Sequence, residues 1–123
     1  MAFAMRLFAA DRDSTLRGKL IQPSTLLTRD GRRIQLAGDA STMGVVKDVR
    51  VIGNDLEVIG TFNAPGEFEI GPIHTKSIYA VKNGQRLFIT YWCEVCSIRT
   101  YTPGRCWCCQ EETELDLKEH LEN

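Results

Sequence analysis

Four cysteines near the C-terminus constrain this chain more than any other feature. They are Cys93, Cys96, Cys106 and Cys109, and they follow the pattern C-x2-C-x9-C-x2-C. Each C-x2-C pair can turn both sulfurs toward one point, and the residues between the pairs are enough for a short hairpin that returns the second pair to the first. The spacing therefore predicts a tetrahedral site with four sulfur ligands in a metal-binding hairpin over residues 86–117.

Zinc, as one ion, is the expected occupant, because four cysteines at this spacing are typical of structural zinc sites. The same pattern leaves open disulfide bonds, a rubredoxin-like iron centre and other metals. A site closed by four cysteines offers no coordination position to water or substrate, so it favours a structural role. The sequence also contains no glycine-rich phosphate loop and no H-E-x-x-H motif. We therefore expect no enzymatic activity, and we predict no catalytic or cofactor-binding residue.

A fifth cysteine, Cys108, lies between two of the predicted ligands. Only Cys106 with Cys109 reproduces the x2 spacing, so Cys108 is expected to be a buried small hydrophobic residue outside the ligand set. Exposure beside a metal-bound thiolate would instead give it a redox-sensing role.

The composition indicates one compact domain with a small appendage. The chain has 123 residues, of which 43% are hydrophobic and 25% charged. About thirty residues around the cysteines are too few to build a core and need a metal ion or disulfide bonds to hold them. The formal net charge of −1 disfavours nucleic acid as the main partner, and a protein of unknown identity is expected instead. No apolar run reaches the length of about 18 residues that a membrane span needs.

The first thirteen residues form a separate N-terminal segment. Residues 1–10 are largely apolar and end in small residues, like the tail of a secretory signal, but Arg6 interrupts them and no basic region precedes them. Residues 1–13 are therefore a candidate signal remnant. The chain is expected to be soluble and cytoplasmic as it stands, and exported if this segment is a truncated signal.

The order of strands over residues 14–85 predicts a small five-stranded barrel of the OB type. The predicted fold is therefore mainly β, with one short helix. The helix, over residues 42–49 after the candidate caps Asp39 and Ser41, lies between the third and fourth strands. In the fourth strand, Glu57 is expected to face outward and Phe62 inward. Residues 118–123 form an acidic tail. The predicted barrel strands are 14–22, 25–28, 33–37, 55–62 and 67–70, and strands 73–81 and 86–92, with a further candidate at 113–117, follow them.

Several other side chains are candidates for binding. The aromatic residues near the cysteines are expected to pack around the thiolates, with base stacking as the alternative. Together with a turn that carries three arginines, they give a further alternative, an OB protein that binds single-stranded nucleic acid. His74 is expected to be structural and His120 solvated. Arg99 and Arg105 are candidate donors to the thiolates. The aromatic residues are Tyr91, Trp92, Tyr101 and Trp107, and the arginines of the turn are Arg29, Arg32 and Arg33.

The cysteine-rich segment at residues 90–115, TYWCEVCSIRTYTPGRCWCCQEETEL, with Pro-Ile-His-Thr at 72–75, resembles a group of small uncharacterised bacterial proteins. These proteins join a barrel-like domain to a zinc-ribbon-like tail, and the similarity covers most of the chain. The resemblance implies export, but it implies no activity and no functional residue. Taken with the closed cysteine site, the sequence predicts a non-enzymatic binding or assembly module, with iron-based electron transfer as the alternative.

Overall fold

The computed structural model describes residues 14–121, which form one helix, one 3-10 turn and nine strands. The predicted signal remnant and the last two residues of the acidic tail lie outside this range. The helix α1 covers Ala40–Val46 and the 3-10 turn covers His74–Lys76. The strands are β1 (Ser14–Gln22), β2 (Thr25–Thr28), β3 (Arg33–Ala37), β4 (Asp55–Ala64), β5 (Glu67–Ile70), β6 (Ile78–Lys82), β7 (Gln85–Cys93), β8 (Ile98–Thr100) and β9 (Glu114–Lys118).

The first five strands close into a barrel. β1 pairs with β2, β2 with β3, β3 with β5, β5 with β4, and β4 returns to β1. The β3–β5 pairing is parallel, whereas the other four are antiparallel. Closure leaves these strands without a free edge, which is how small β proteins avoid exposed backbone hydrogen-bonding groups. The predicted mainly β fold with a five-stranded barrel and one helix is confirmed.

The single helix lies between β3 and β4, as predicted, but it begins earlier than expected. Asp39 is its N-cap, and its Oδ1 accepts a hydrogen bond of 2.9 Å from the amide of Thr42. The helix then covers Ala40–Val46 and does not continue to Val49. Asp39 satisfies an amide that would otherwise lack a partner, so the cap, more than the apolar spacing, sets the start of the helix.

Four further strands extend the barrel sheet toward the cysteines. β6 pairs with β4, β7 pairs with β6, and β8 and β9 both pair with β7. The predicted strand over residues 73–81 was wrong in its first half, because His74–Lys76 form a 3-10 turn and β6 begins only at Ile78. Pro72 lacks an amide hydrogen and cannot join a ladder, which agrees with the late start of this strand.

One hydrophobic core joins the barrel to the extension. Leu20, Leu36 and Phe68 come from barrel strands, and they belong to the same buried cluster as Ile89 and Tyr91 of β7. The predicted boundary between residues 85 and 86 falls at the beginning of β7. The division into a barrel of residues 14–85 and a hairpin of residues 86–117 stays a prediction.

Two side chains of β4 differ in burial from the expectation. Phe62 is 42% exposed and packs edge-on against Phe68, with ring centroids 5.0 Å apart. Glu57 is buried, and its carboxylate accepts from Arg17 at 2.7 Å and from Arg86 at 3.2 Å. Arg17 of β1 and Arg86 of β7 contact the Glu57 carboxylate, so alternation along a single strand could not reveal its burial.

No helix within residues 14–121 combines the length and the apolar character that crossing a membrane requires.

Gly60 lies where β4 pairs with both β1 and β5, and a Cβ atom there would overlap the backbone carbonyl oxygen of Glu69. We expect Gly60→Ala to lower the free energy of unfolding by about 2–3 kcal/mol, because the two strands must separate locally to admit the methyl group. Gly66→Ala is the matched control, since a Cβ atom at Gly66 has no neighbour within 4 Å. Urea denaturation of both variants measures the difference, and equal stability of the two would contradict this account of β4 packing.

Candidate metal centre

The structure brings the four predicted sulfur ligands together. The Sγ atoms of Cys93, Cys96, Cys106 and Cys109 all lie within 4.8 Å of one another, and those of Cys93 and Cys109 are 3.5 Å apart. Four sulfurs at about 2.3 Å from a central zinc ion would be about 3.8 Å apart. The spacing therefore fits a tetrahedral metal site, and these four cysteines can hold a metal ion.

The two cysteine pairs are built as equivalent turns. In each, the residue after the second cysteine donates its amide to the carbonyl of the first: Ser97 to Cys93 and Gln110 to Cys106, both at 2.8 Å. Both donors have left-handed backbones, with φ of 55° at Ser97 and 67° at Gln110. This conformation favours glycine, so each turn carries a local backbone cost that the cluster must offset.

Backbone amides also point at the sulfurs. The amide of Cys96 donates to Sγ of Cys93, and that of Cys108 donates to Sγ of Cys106, each at 3.4 Å. Such hydrogen bonds stabilise the thiolate form, which is the form that binds metal. Amide hydrogen bonds of this kind also explain why the pKa of one cysteine, Cys106, is lowered. The amides of Cys109 and Cys108 lower the pKa of Cys106 to about 7.

Two other thiols of the cluster, those of Cys93 and Cys96, have raised pKa values and resist ionisation without a cation. At Cys93 the Cys96 amide lowers the pKa, but burial and the neighbouring Cys109 and Cys106 thiols outweigh it and the net shift is upward. Contact with the Cys108 thiol and then burial raise the pKa of Cys96. Crowding several thiolates without a counterion is unfavourable. Metal binding must therefore displace protons from the cluster.

Cys108 lies outside the four-sulfur group and is exposed, whereas Cys93 and Cys106 are buried. The prediction that Cys108 is not among the converging sulfurs agrees with this geometry. Its expected burial as a small hydrophobic residue is wrong, because the turn between Cys106 and Cys109 directs it toward solvent.

Strands β7, β8 and β9 hold the first cysteine pair in place. Cys93 is the last residue of β7 and pairs with Ile98 of β8. On the same sheet, the Arg99 Nη1 donates 2.8 Å hydrogen bonds to Thr90 Oγ1 and Asp116 Oδ2, and its guanidinium lies 4.8 Å from the ring centre of Trp92. Arg99 was a candidate donor to the thiolates, but its hydrogen bonds instead link β8 to β7 and β9.

A hydrogen bond from a buried tyrosine joins β7 to the loop that follows α1. The hydroxyl of Tyr91, which is fully buried, donates to Asp48 Oδ2 at 2.9 Å, and Arg50 pairs with the same oxygen at 3.1 Å. Arg50 also donates to the carbonyl of Thr113 at 2.5 Å. Burial alone would raise the pKa of Asp48, but hydrogen bonds from Arg50 and Tyr91 lower it. The sequence analysis did not identify Asp48 and Arg50. Both lie in a loop, and the sequence of that loop does not indicate partners more than forty residues away.

The remaining candidate residues take varied positions. Tyr91 packs in the core and Trp92 lies under Arg99, but Trp107 is 73% exposed at the second turn. His74 has a structural contact, since its Nε2 lies 2.8 Å from the Tyr101 carbonyl oxygen.

The candidate basic residues do not gather at the sulfurs. Arg105 forms an isolated bridge with Glu112 through the backbone, and Arg32 pairs with Asp30 at 3.4 Å. Arg29 lines a cleft on the barrel, whereas Arg33 is exposed on β3. His120 is exposed in the acidic tail.

Replacing Cys96 with Ser should remove one of the four converging sulfurs and lower metal affinity by at least tenfold, whereas Cys108→Ser should keep a full complement of metal. Titration with zinc in the presence of a chromophoric chelator measures both affinities. Cys108→Ser is the matched control, because it removes a neighbouring thiol that is not one of the four converging sulfurs. Full zinc binding by the Cys96 variant together with loss in the Cys108 variant would show that the ligand set is different.

Comparison with known proteins identifies no homologue of this chain. No protein-family model, no curated protein and no solved structure matches the chain. The resemblance to a bacterial group stays a prediction, and function has to be argued from the site itself.

Proposed function

We propose that this chain is a non-enzymatic binding or assembly module whose C-terminal hairpin is held by one structural zinc ion. The observation that carries the proposal is the convergence of four cysteine sulfurs within 4.8 Å, built from two equivalent turns. Zinc suits this set because it accepts four thiolates in a tetrahedron. Cys93, Cys96, Cys106 and Cys109 would be its ligands.

A structural role fits the position of the cluster. Two of its sulfurs are buried, and all four are supplied by turns at the end of a sheet. Four protein ligands leave no coordination position for water or substrate. The energy of metal binding would then stabilise the hairpin, which contributes few side chains to the core.

A protein partner is supported by apolar side chains at the two turns. Val95 is 72% exposed and Trp107 is 73% exposed, and each lies between two candidate ligands. Exposed tryptophan is uncommon and is enriched among residues that dominate protein interfaces. The metal would fix both turns and so present these side chains in a rigid arrangement, which lowers the entropy lost on binding.

Iron is the alternative occupant, because a tetrahedral sulfur site accepts either metal. The protein would then be a rubredoxin-like electron carrier. The half-exposed positions of Cys96 and Cys109 support this alternative, since electron transfer requires the metal to lie near the surface.

Protein purified without added metal should contain about one zinc ion per chain and be colourless. Elemental analysis and a visible absorption spectrum measure these two properties on the same sample. A red protein with absorption from thiolate-to-iron charge transfer would support the electron carrier. Metal-free protein with paired cysteines would contradict both forms of the proposal.

Changing Trp107 to Ser should abolish binding to a protein partner while leaving zinc content unchanged, because the side chain projects away from the core. Val49→Ser is the matched control, since Val49 is 74% exposed but lies beyond α1 and outside the cysteine turns. Affinity purification with wild type and both variants measures recovery of the same partner. Equal recovery with all three proteins would exclude the cysteine turns as the binding surface.

A further inference from the structure

A cleft of about 420 Å³ opens on the surface of the barrel where β1 passes between β2 and β4. Three basic side chains, Arg17, Lys19 and Arg29, line it. Leu27 and Val81 provide apolar surface in the same cleft. Its volume falls within the range of about 300–1,000 Å³ that is typical of small-molecule sites.

Strand register explains why these residues meet. Lys19 is directly opposite Leu27 of β2 and also opposite Asp55 of β4, and Asp55 is opposite Val81 of β6. Residues directly opposite one another share a face of the sheet, so these four form one row across four strands. Arg17 precedes Lys19 by two residues and Arg29 follows Leu27 by two, which places both on the same face in the next row.

The charges of the cleft are not balanced. Asp55 is the single acidic residue in its lining, which leaves an excess of two positive charges in a chain whose net charge is −1. Arg17 pairs with Glu57, but the same carboxylate also pairs with Arg86, whose positive charge cancels that of Glu57. The excess of two positive charges in the cleft therefore remains. Lys19 and Arg29 form no ion pair with any acid in the part of the chain from residue 14 to 121.

We propose that this cleft binds a phosphate monoester attached to an apolar body, of the nucleoside monophosphate class. A phosphate monoester carries about −1.5 to −2 charges at neutral pH, which matches the excess of the lining, whereas a single carboxylate would leave one cation unpaired. The guanidinium of Arg29 can bind two phosphate oxygens, Arg17 adds the N–H groups that do not donate to Glu57, and Lys19 adds a point charge. Leu27 and Val81 would contact the apolar body.

This inference goes beyond the proposed zinc-held module, because it concerns the barrel and involves none of the cysteines. Its failure would leave the metal proposal untouched. Metal content and phosphate binding are measured separately on the same protein.

Calorimetric titration at low salt with adenosine 5′-monophosphate tests the inference. Binding with a dissociation constant below about 1 mM is expected, with adenosine at least tenfold weaker because it lacks the charged group. Inorganic phosphate should also bind more weakly than the nucleotide, since it makes no apolar contact. Equal affinity for adenosine and its monophosphate, or no binding of either, would overturn the proposal.

Substitutions in the cleft should move affinity in both directions. Lys19→Ala and Arg29→Ala should each weaken nucleotide binding about five- to tenfold, because each removes a charged contact. Asp55→Asn should strengthen it about threefold or more, because it removes the one acid of the lining. Lys76→Ala is the control, as Lys76 is exposed in the 3-10 turn outside the cleft.

Two results would contradict the assignment. A loss of affinity in Lys76→Ala equal to that in Lys19→Ala would mean that only general charge is sensed. Tighter binding of an unphosphorylated oligonucleotide than of the monophosphate would show that the surface recognises phosphodiesters, and hence single-stranded nucleic acid.

Discussion

Strand β7 hydrogen-bonds to three other strands, and the position of the sulfur cluster depends on these pairings. Its first residues pair with β6, which joins it to the barrel, and its later residues pair with β8 on the same edge and with β9 on the opposite edge. Tyr91 of this strand is in the barrel core, and Cys93, two residues later, is a candidate ligand. The proposed metal site therefore lies at the end of a sheet that is continuous with the barrel.

The cysteine turns are locally unfavourable structures. Ser97 and Gln110 adopt a left-handed backbone without being glycine, and neighbouring thiols together with burial raise the pKa of Cys93 and Cys96. Amide hydrogen bonds and the anchoring of Tyr91 to Asp48 offset part of this cost. A divalent cation would supply the larger contribution, because it favours the thiolates and closes both turns at once.

Much of the fold could be predicted from the sequence. The bounds of β1, β2, β3 and β5 follow from alternating side chains and from turn residues, and the sulfur cluster follows from cysteine spacing, since both signals are local. The burial of Glu57 and the link from Tyr91 to Asp48 could not be predicted, because each depends on elements that are distant in sequence. Likewise, the basic cleft arises from register across four strands, which no single segment reveals.

The continuity of β7 has a thermodynamic consequence for ligands. The strand has one end in the barrel core and the other at Cys93, so order at one end favours order at the other. Coupling of this kind is reciprocal. A molecule that binds the barrel and stabilises β7 would therefore raise the affinity of the four sulfurs for a metal ion, and a bound metal would raise the affinity for that molecule by the same factor.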